Sequence, residues 1–180
     1  MAKHRHPYGY YEFFEGDNME RWYLACHKAG RHNAFKAQLF LSDLNATSFI
    51  PQIYSYRPRA DRPGKLKRSI ELLFPGYMFV YFDPEVTHTS KISNCPGVSH
   101  LVRFADAICP VRDAVIEEIM QLPVCVCSPV IAGMKKENNR NKNPASLSME
   151  QRECIGKIVN EHDGVTRSAL FYAFAEAARW

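Results

Sequence analysis

His88-Thr89-Ser90 sets one imidazole beside two hydroxyls. Such a ring can take a proton from serine and make it a nucleophile. The spacing argues against that chemistry, because adjacent residues on a helix do not face one another. Nothing nearby marks an acid partner or an oxyanion hole either. A capped helix start explains the same three residues. Cysteines stand at 26, 95, 109, 125, 127 and 154. Their spacings match no zinc pattern, and Cys125-Val126-Cys127 is CxC rather than the redox pair CxxC. We therefore expect no metal, no cofactor and no enzyme, with the thiols structural or incidental in a reducing compartment.

Binding chemistry is better represented. Lys28, Arg31, His32 and Lys36 lie close together, either as a solvated face or as a surface that neutralises phosphate. Arg57, Arg59, Arg62, Lys65, Lys67 and Arg68 form a second basic stretch against Asp61 alone. The block Leu73-Phe74-Pro75-Gly76-Tyr77-Met78-Phe79-Val80 is the densest apolar feature, broken by Pro-Gly. It fits buried core, or an apolar surface kept for a partner. The net charge of +4 and pI near 8.7 are only mildly basic. They exclude a highly charged tail protein and leave room for a localised nucleic-acid face. No apolar run reaches the roughly 18 residues that a membrane span needs. The aromatic, His-rich start lacks the apolar centre of a signal peptide. A cytoplasmic protein is expected.

The elements that must position these residues follow from periodicity. Trp22 to His27 alternates as a strand. Gly30 opens a helix to about Leu44, with Ala34, Ala37, Leu41 and Leu44 on one face, widened by Phe35 and Leu39. Phe49 to Tyr56 reads as one strand with Pro51 near its start or an edge. The basic 57–68 stretch suits a hairpin or long loop. Tyr77 to Phe82 contains no charged side chain and should be covered on both faces, Tyr77, Phe79 and Tyr81 on one and Met78, Val80 and Phe82 on the other. A short helix over 84–94, a strand over 98–104 and a helix over 111–122 complete an α+β sandwich of one sheet and flanking helices. Residues 1–20 read as an extension, 21–124 as the main domain and 125–146 as a polar linker. Residues 147–180 read as a helical hairpin. Ser148 and Gln151 form a capping box there, and Cys154, Ile155, Ile158 and Val159 give the first stripe. Asp163-Gly164 breaks the chain, Thr166 caps the second helix, and Leu170, Ala173, Phe174 and Ala177 give its apolar stripe.

From about Trp22 to Gln121 the ordered motifs resemble the N-terminal domain of the NusG family of transcription elongation factors. They are the apolar block, Phe82-Asp83-Pro84-Glu85-Val86, His88-Thr89-Ser90, and Gly97-Val98-Ser99-His100-Leu101-Val102-Arg103-Phe104. The middle stretch is most similar to the RfaH-like paralogues, including those carried on conjugative plasmids. The resemblance implies an antiparallel sheet flanked by helices. It also implies a bacterial RNA polymerase partner whose β′ clamp helices sit in a depression lined by Phe74, Tyr77 and Phe79 and bordered by Cys26, Phe104, Ile116 and Ile119. His88, Thr89 and Ser90 match the residues that touch the β gate loop. Lys28, Arg31, His32, Lys36 and Gln38 fall where non-template DNA is contacted, and the 57–68 stretch could reach upstream duplex. Ala29, Arg31, Gln38 and Cys95-Pro96 depart from that branch, so identical sequence recognition is not expected.

The tail resembles a degenerate KOW-like segment. Gly156-Lys157-Ile158-Val159 and the 163–170 stretch match its end, while Gly-rich first barrel strands are missing. The resemblance ties ribosome recruitment to a barrel form, whereas the helix signals here favour a hairpin. Glu71 and Arg167 match two positions that form an interdomain salt bridge. The reading is thus a monomeric elongation and antitermination factor that suppresses pausing and termination. Two rivals are a stand-alone DNA-binding regulator of initiation, working through the 57–68 hairpin, and a small hydrolase built on His88 and Ser90.

Overall fold

The computed structural model describes residues 19–122, 125–126 and 147–177. At its centre is β1, Arg21–His27. It pairs antiparallel with β5, Tyr77–Phe82, so that Trp22 faces Tyr81 and Leu24 faces Phe79. β2, Thr47–Phe49, joins the far edge of β5. The other edge of β1 is shared by β6, Val98–Leu101, and the short β7, Pro110–Val111. These strands form one sheet, and a smaller sheet holds β3 (Gln52–Pro58), β4 (Leu66–Leu72) and β8 (Cys125–Val126) in the order β4-β3-β8.

The central sheet is covered on both faces, as the apolar β5 requires. On one face Met78, Val80 and Phe82 pack with Tyr23 and Ala25 against α1, Arg31–Ser42. Helix α1 buries Ala34, Ala37 and Leu41, and these small side chains let it sit close to the sheet. A Cβ at Gly97 would lie 2.4 Å from the Asn33 carbonyl oxygen and 2.6 Å from the Ala37 nitrogen. On the other face Trp22, Leu24, Phe49 and Phe79 pack against α3, Asp113–Gln121, which buries Val115, Ile116 and Ile119. The same core contains Ile155, Ile158 and Val159 of α4, Met149–Asn160, and Phe171 and Ala175 of α5, Gly164–Ala177. The terminal hairpin is therefore docked on the main domain as part of one apolar core.

Several expectations are corrected. The single sheet is two, because the expected strand 49–56 breaks at Ile50-Pro51 into β2 and β3. Proline cannot donate to a ladder, and here its carbonyl accepts the Leu73 N–H at 2.8 Å instead. Leu39 does not widen the buried face of α1; it is 71% exposed. The helix expected over 84–94 is the shorter α2, Thr89–Ser93, and the residues before it form a turn in which the Thr87 N–H donates to the Asp83 carbonyl. The strand expected to reach Phe104 ends at Leu101, since Ala105 and Asp106 turn the chain at positive φ. Cys125 and Val126, placed in the linker, pair with β3. The remainder of that linker and residues 1–18 lie outside the described residues.

In the tail, the capping box forms as expected. The Gln151 N–H donates to Ser148 Oγ at 3.2 Å, and the Ser148 N–H donates to Gln151 Oε1 at 2.9 Å. The cap of α5 is Asp163 rather than Thr166: its carboxylate accepts both the Thr166 N–H and hydroxyl at 2.7 Å. The inward face of α5 also differs. Arg167, Ser168, Phe171 and Ala175 are buried, whereas Leu170 is 44% exposed and Ala173 and Ala177 face solvent. Offsets of one, four and eight residues from Arg167 make that an equally good helical stripe. An arginine and a serine within it hide it from a search for apolar periodicity.

Candidate functional site

The aromatic block is split by the geometry. Phe74 and Phe79 come together edge-on, centroids 6.4 Å apart, at the end of the central sheet. Phe104, Ile116 and Ile119 belong to the same buried core, with Cys26 and Tyr77 half-buried against it. Every residue expected to line or border the depression thus lies on one side of the sheet. The surface is not open, however. Phe171 of α5 stacks on Phe74 at 4.4 Å and meets Phe79 edge-on at 5.5 Å. Tyr172 lies 5.4 Å from Phe104. Phe74 and Phe79 are left at 1% and 0% exposure. Burial pushes the Tyr77 hydroxyl above its ordinary range, with the Cys26 thiol adding to the effect, and burial raises Cys26 in turn. Both groups are neutral near pH 7, so the depression presents no charge of its own.

Polar contacts hold the cover in place. Arg167 is buried, and its Nε donates to the Leu73 carbonyl at 2.9 Å. Its Nη1 donates to the Glu161 and His162 carbonyls at 2.7 and 3.0 Å, which fixes the turn between α4 and α5. The Ser168 hydroxyl lies 2.9 Å from the Pro75 carbonyl oxygen. Close packing sets the approach, since a Cβ on Gly164 would meet Pro75 Cγ at 2.9 Å. The expected Glu71–Arg167 salt bridge is corrected here. Glu71 pairs with Arg57, and Arg167 uses backbone carbonyls instead. The reason is register: Glu71 sits opposite Ile53 on the ribbon formed by β3 and β4, sharing a face with Ser55 and Arg57. A hydrogen bond from Ser55 and then the Arg57 guanidinium hold the Glu71 carboxyl below its ordinary value, with the Arg167 charge contributing. Sequence reasoning missed Phe171 and Ser168, the two residues that seat the cover.

The second constellation is a helix cap. His88 Nδ1 accepts the Ser90 N–H at 3.2 Å and lies 2.8 Å from the Ser90 hydroxyl. No carboxylate hydrogen-bonds the ring among the described residues, which leaves a catalytic reading without its third member. His88 and Ser90 are nonetheless exposed, and Thr89 is half-buried, so the same turn presents a polar edge to solvent.

Lys28, Arg31, His32 and Lys36 are all exposed around the start of α1, with Gln38 half-buried further along. Gly30 precedes the helix at φ 96, without a side-chain cap and without an acidic residue in the first turn. The first-turn N–H groups and the exposed cations therefore lie together at this helix end. That arrangement opposes the helix dipole in the free protein and favours an incoming anion. Arg31 lies 5.5 Å over the Phe35 ring. It also shares a groove with Arg57, Lys67, Ser69, Ile70 and Glu71 of the ribbon, which joins the two basic regions into one surface. Tyr56 and Leu66 stand exposed on the opposite ribbon face, where Arg68 lies 4.5 Å over Tyr54.

A family model described as transcription termination factor nusG matches residues 20–120, more than half of the chain. Those residues carry the central sheet, both of its helical covers from the main domain and all three constellations just described. No described helix is long and apolar enough to cross a membrane. By sequence, and with a mixed α+β architecture to match, the chain belongs to the NusG family of transcription elongation and termination factors.

Proposed function

We propose that the protein is an RfaH-like elongation and antitermination factor that acts as a clamp, without chemistry, on transcribing RNA polymerase. The face of Phe74, Tyr77 and Phe79 takes the β′ clamp helices, and His88, Thr89 and Ser90 touch the β gate loop. The two contacts bridge the DNA channel and disfavour pausing. Lys28, Arg31, His32, Lys36 and Gln38 meet the exposed non-template strand, and the ribbon follows the upstream duplex. What carries the reading is the packing of Phe171, stacked on Phe74 and edge-on to Phe79. A helical tail seated on an aromatic depression covers a surface that a large apolar partner would otherwise occupy. Polymerase must then displace the tail, so the free protein rests in a closed state.

Binding to core polymerase tests this. Tyr77 is half-buried, so its truncation spares the fully buried core. Tyr77→Ala is expected to weaken pull-down of core polymerase by about 2 kcal/mol or more, as for an interface hot spot. Undiminished capture by a folded variant overturns the assignment.

A further inference from the structure

His27 ends β1 with a ring that is 8% exposed and held at both nitrogens. Nδ1 lies 2.8 Å from the Lys28 carbonyl oxygen, and the Gly76 N–H donates to Nε2 at 3.2 Å. A carbonyl only accepts and an amide N–H only donates, so both bonds are satisfied by the neutral ring with its proton on Nδ1. The backbone doubles the link, since the His27 N–H donates to the Gly76 carbonyl at 3.0 Å. Gly76 holds φ 93, a shape that its missing Cβ permits. The turn from Leu73 to Gly76 is the one whose Leu73 and Pro75 carbonyls receive Arg167 and Ser168. It also carries Phe74 and delivers Tyr77. On the other side of the ring, Lys28 opens the basic cluster, with its own N–H on the Gly97 carbonyl at 2.8 Å.

We infer that His27 is a positioning residue that ties the Leu73–Gly76 turn to the Lys28 loop, so that the partner-binding face and the basic face move as one body. This goes beyond the proposed function, which supplies the names of the two faces; the link itself is a property of the free protein. A protonated ring carries N–H groups at both nitrogens and can no longer accept from Gly76. The link is therefore made by neutral His27 and lost by its cation. The titratable and charged groups in the adjoining segments are Cys26 before it in β1, Lys28 just after the strand, Tyr77 after the turn, His100 opposite Cys26 on β6, and Arg31 and His32 at the start of α1.

The experiment is amide hydrogen exchange at Gly76, with 15N imidazole shifts, in the full free chain. Wild-type protein is expected to show the Nδ1–H tautomer. His27→Ala should lower Gly76 protection by about five- to tenfold, the order of one net hydrogen bond. His27→Gln places an amide oxygen near the Nε2 position and should restore protection to within about twofold. A proton on Nε2, unchanged Gly76 protection in His27→Ala, or protection in His27→Gln that falls as far as in His27→Ala overturns the inference. Should His27→Ala fail to fold, the tautomer and the Gly76 protection of His27→Gln against wild type still decide. None of these readouts involves polymerase, so failure here is distinct from failure of the polymerase reading.

Discussion

Replacing Arg167 by methionine should open the terminal hairpin, and replacing Glu71 by glutamine should not. The wild-type arginine makes three hydrogen bonds, but only the one to Leu73 crosses to the main domain. The Glu161 and His162 carbonyls belong to a partly exposed turn and can turn to water. The Leu73 carbonyl belongs to a residue with 0% exposure, so it would be stranded. One hydrogen bond from a charged donor is worth about 1.5–3 kcal/mol, and the orphaned acceptor makes the upper part of that range the better choice. A loss of about 2–3 kcal/mol shifts the docked-to-open ratio by about 30- to 150-fold. Glu71, by contrast, pairs with an Arg57 side chain that is 73% exposed. Such a pair contributes about 0–1 kcal/mol, most of it within the ribbon. Hydrogen exchange of the α5 amides, normalised to β1, reads the docked fraction. If Glu71→Gln releases the hairpin as fully as Arg167→Met, or Arg167→Met leaves α5 protected, the backbone-carbonyl lock is wrong.

Phe171→Ala removes the ring packed against Phe74 and Phe79 and should cost docking about 3–5 kcal/mol, as for other buried phenylalanines. Faster exchange confined to α4 and α5, with β1 and β5 unchanged, is the expected pattern. Acid should loosen the ribbon in a definite window. The Glu71 carboxyl is depressed below its ordinary 4.5, so its contribution is complete above that value and is lost as pH falls through the lower folded value. An NMR titration of the Tyr54 and Tyr56 rings should therefore show a step below about pH 4.5 that Glu71→Gln removes.

The sequence by itself determined the elements whose cause is local. Alternation marked β1 and β5, the Ser148–Gln151 cap marked the start of α4, and the lack of charged side chains in β5 required cover on both faces. It also brought the aromatic and basic residues into view, because each set is continuous or nearly so along the chain. Only the tertiary structure decided what depends on a partner far away in sequence. Pro51 divides two sheets rather than starting one strand, because Leu72 and Phe79, which claim Gln52 and Phe49, lie in different sheets. The face of α5 turns inward through Arg167 and Ser168, which meet the Leu73 and Pro75 carbonyls, contacts that no periodicity within α5 can express. Glu71 belongs to Arg57 for the same reason: strand register, not motif position, sets which side chains share a face. His27 looks in sequence like one more strand residue, and its two bonds exist only because the Leu73–Gly76 turn folds back onto the end of β1.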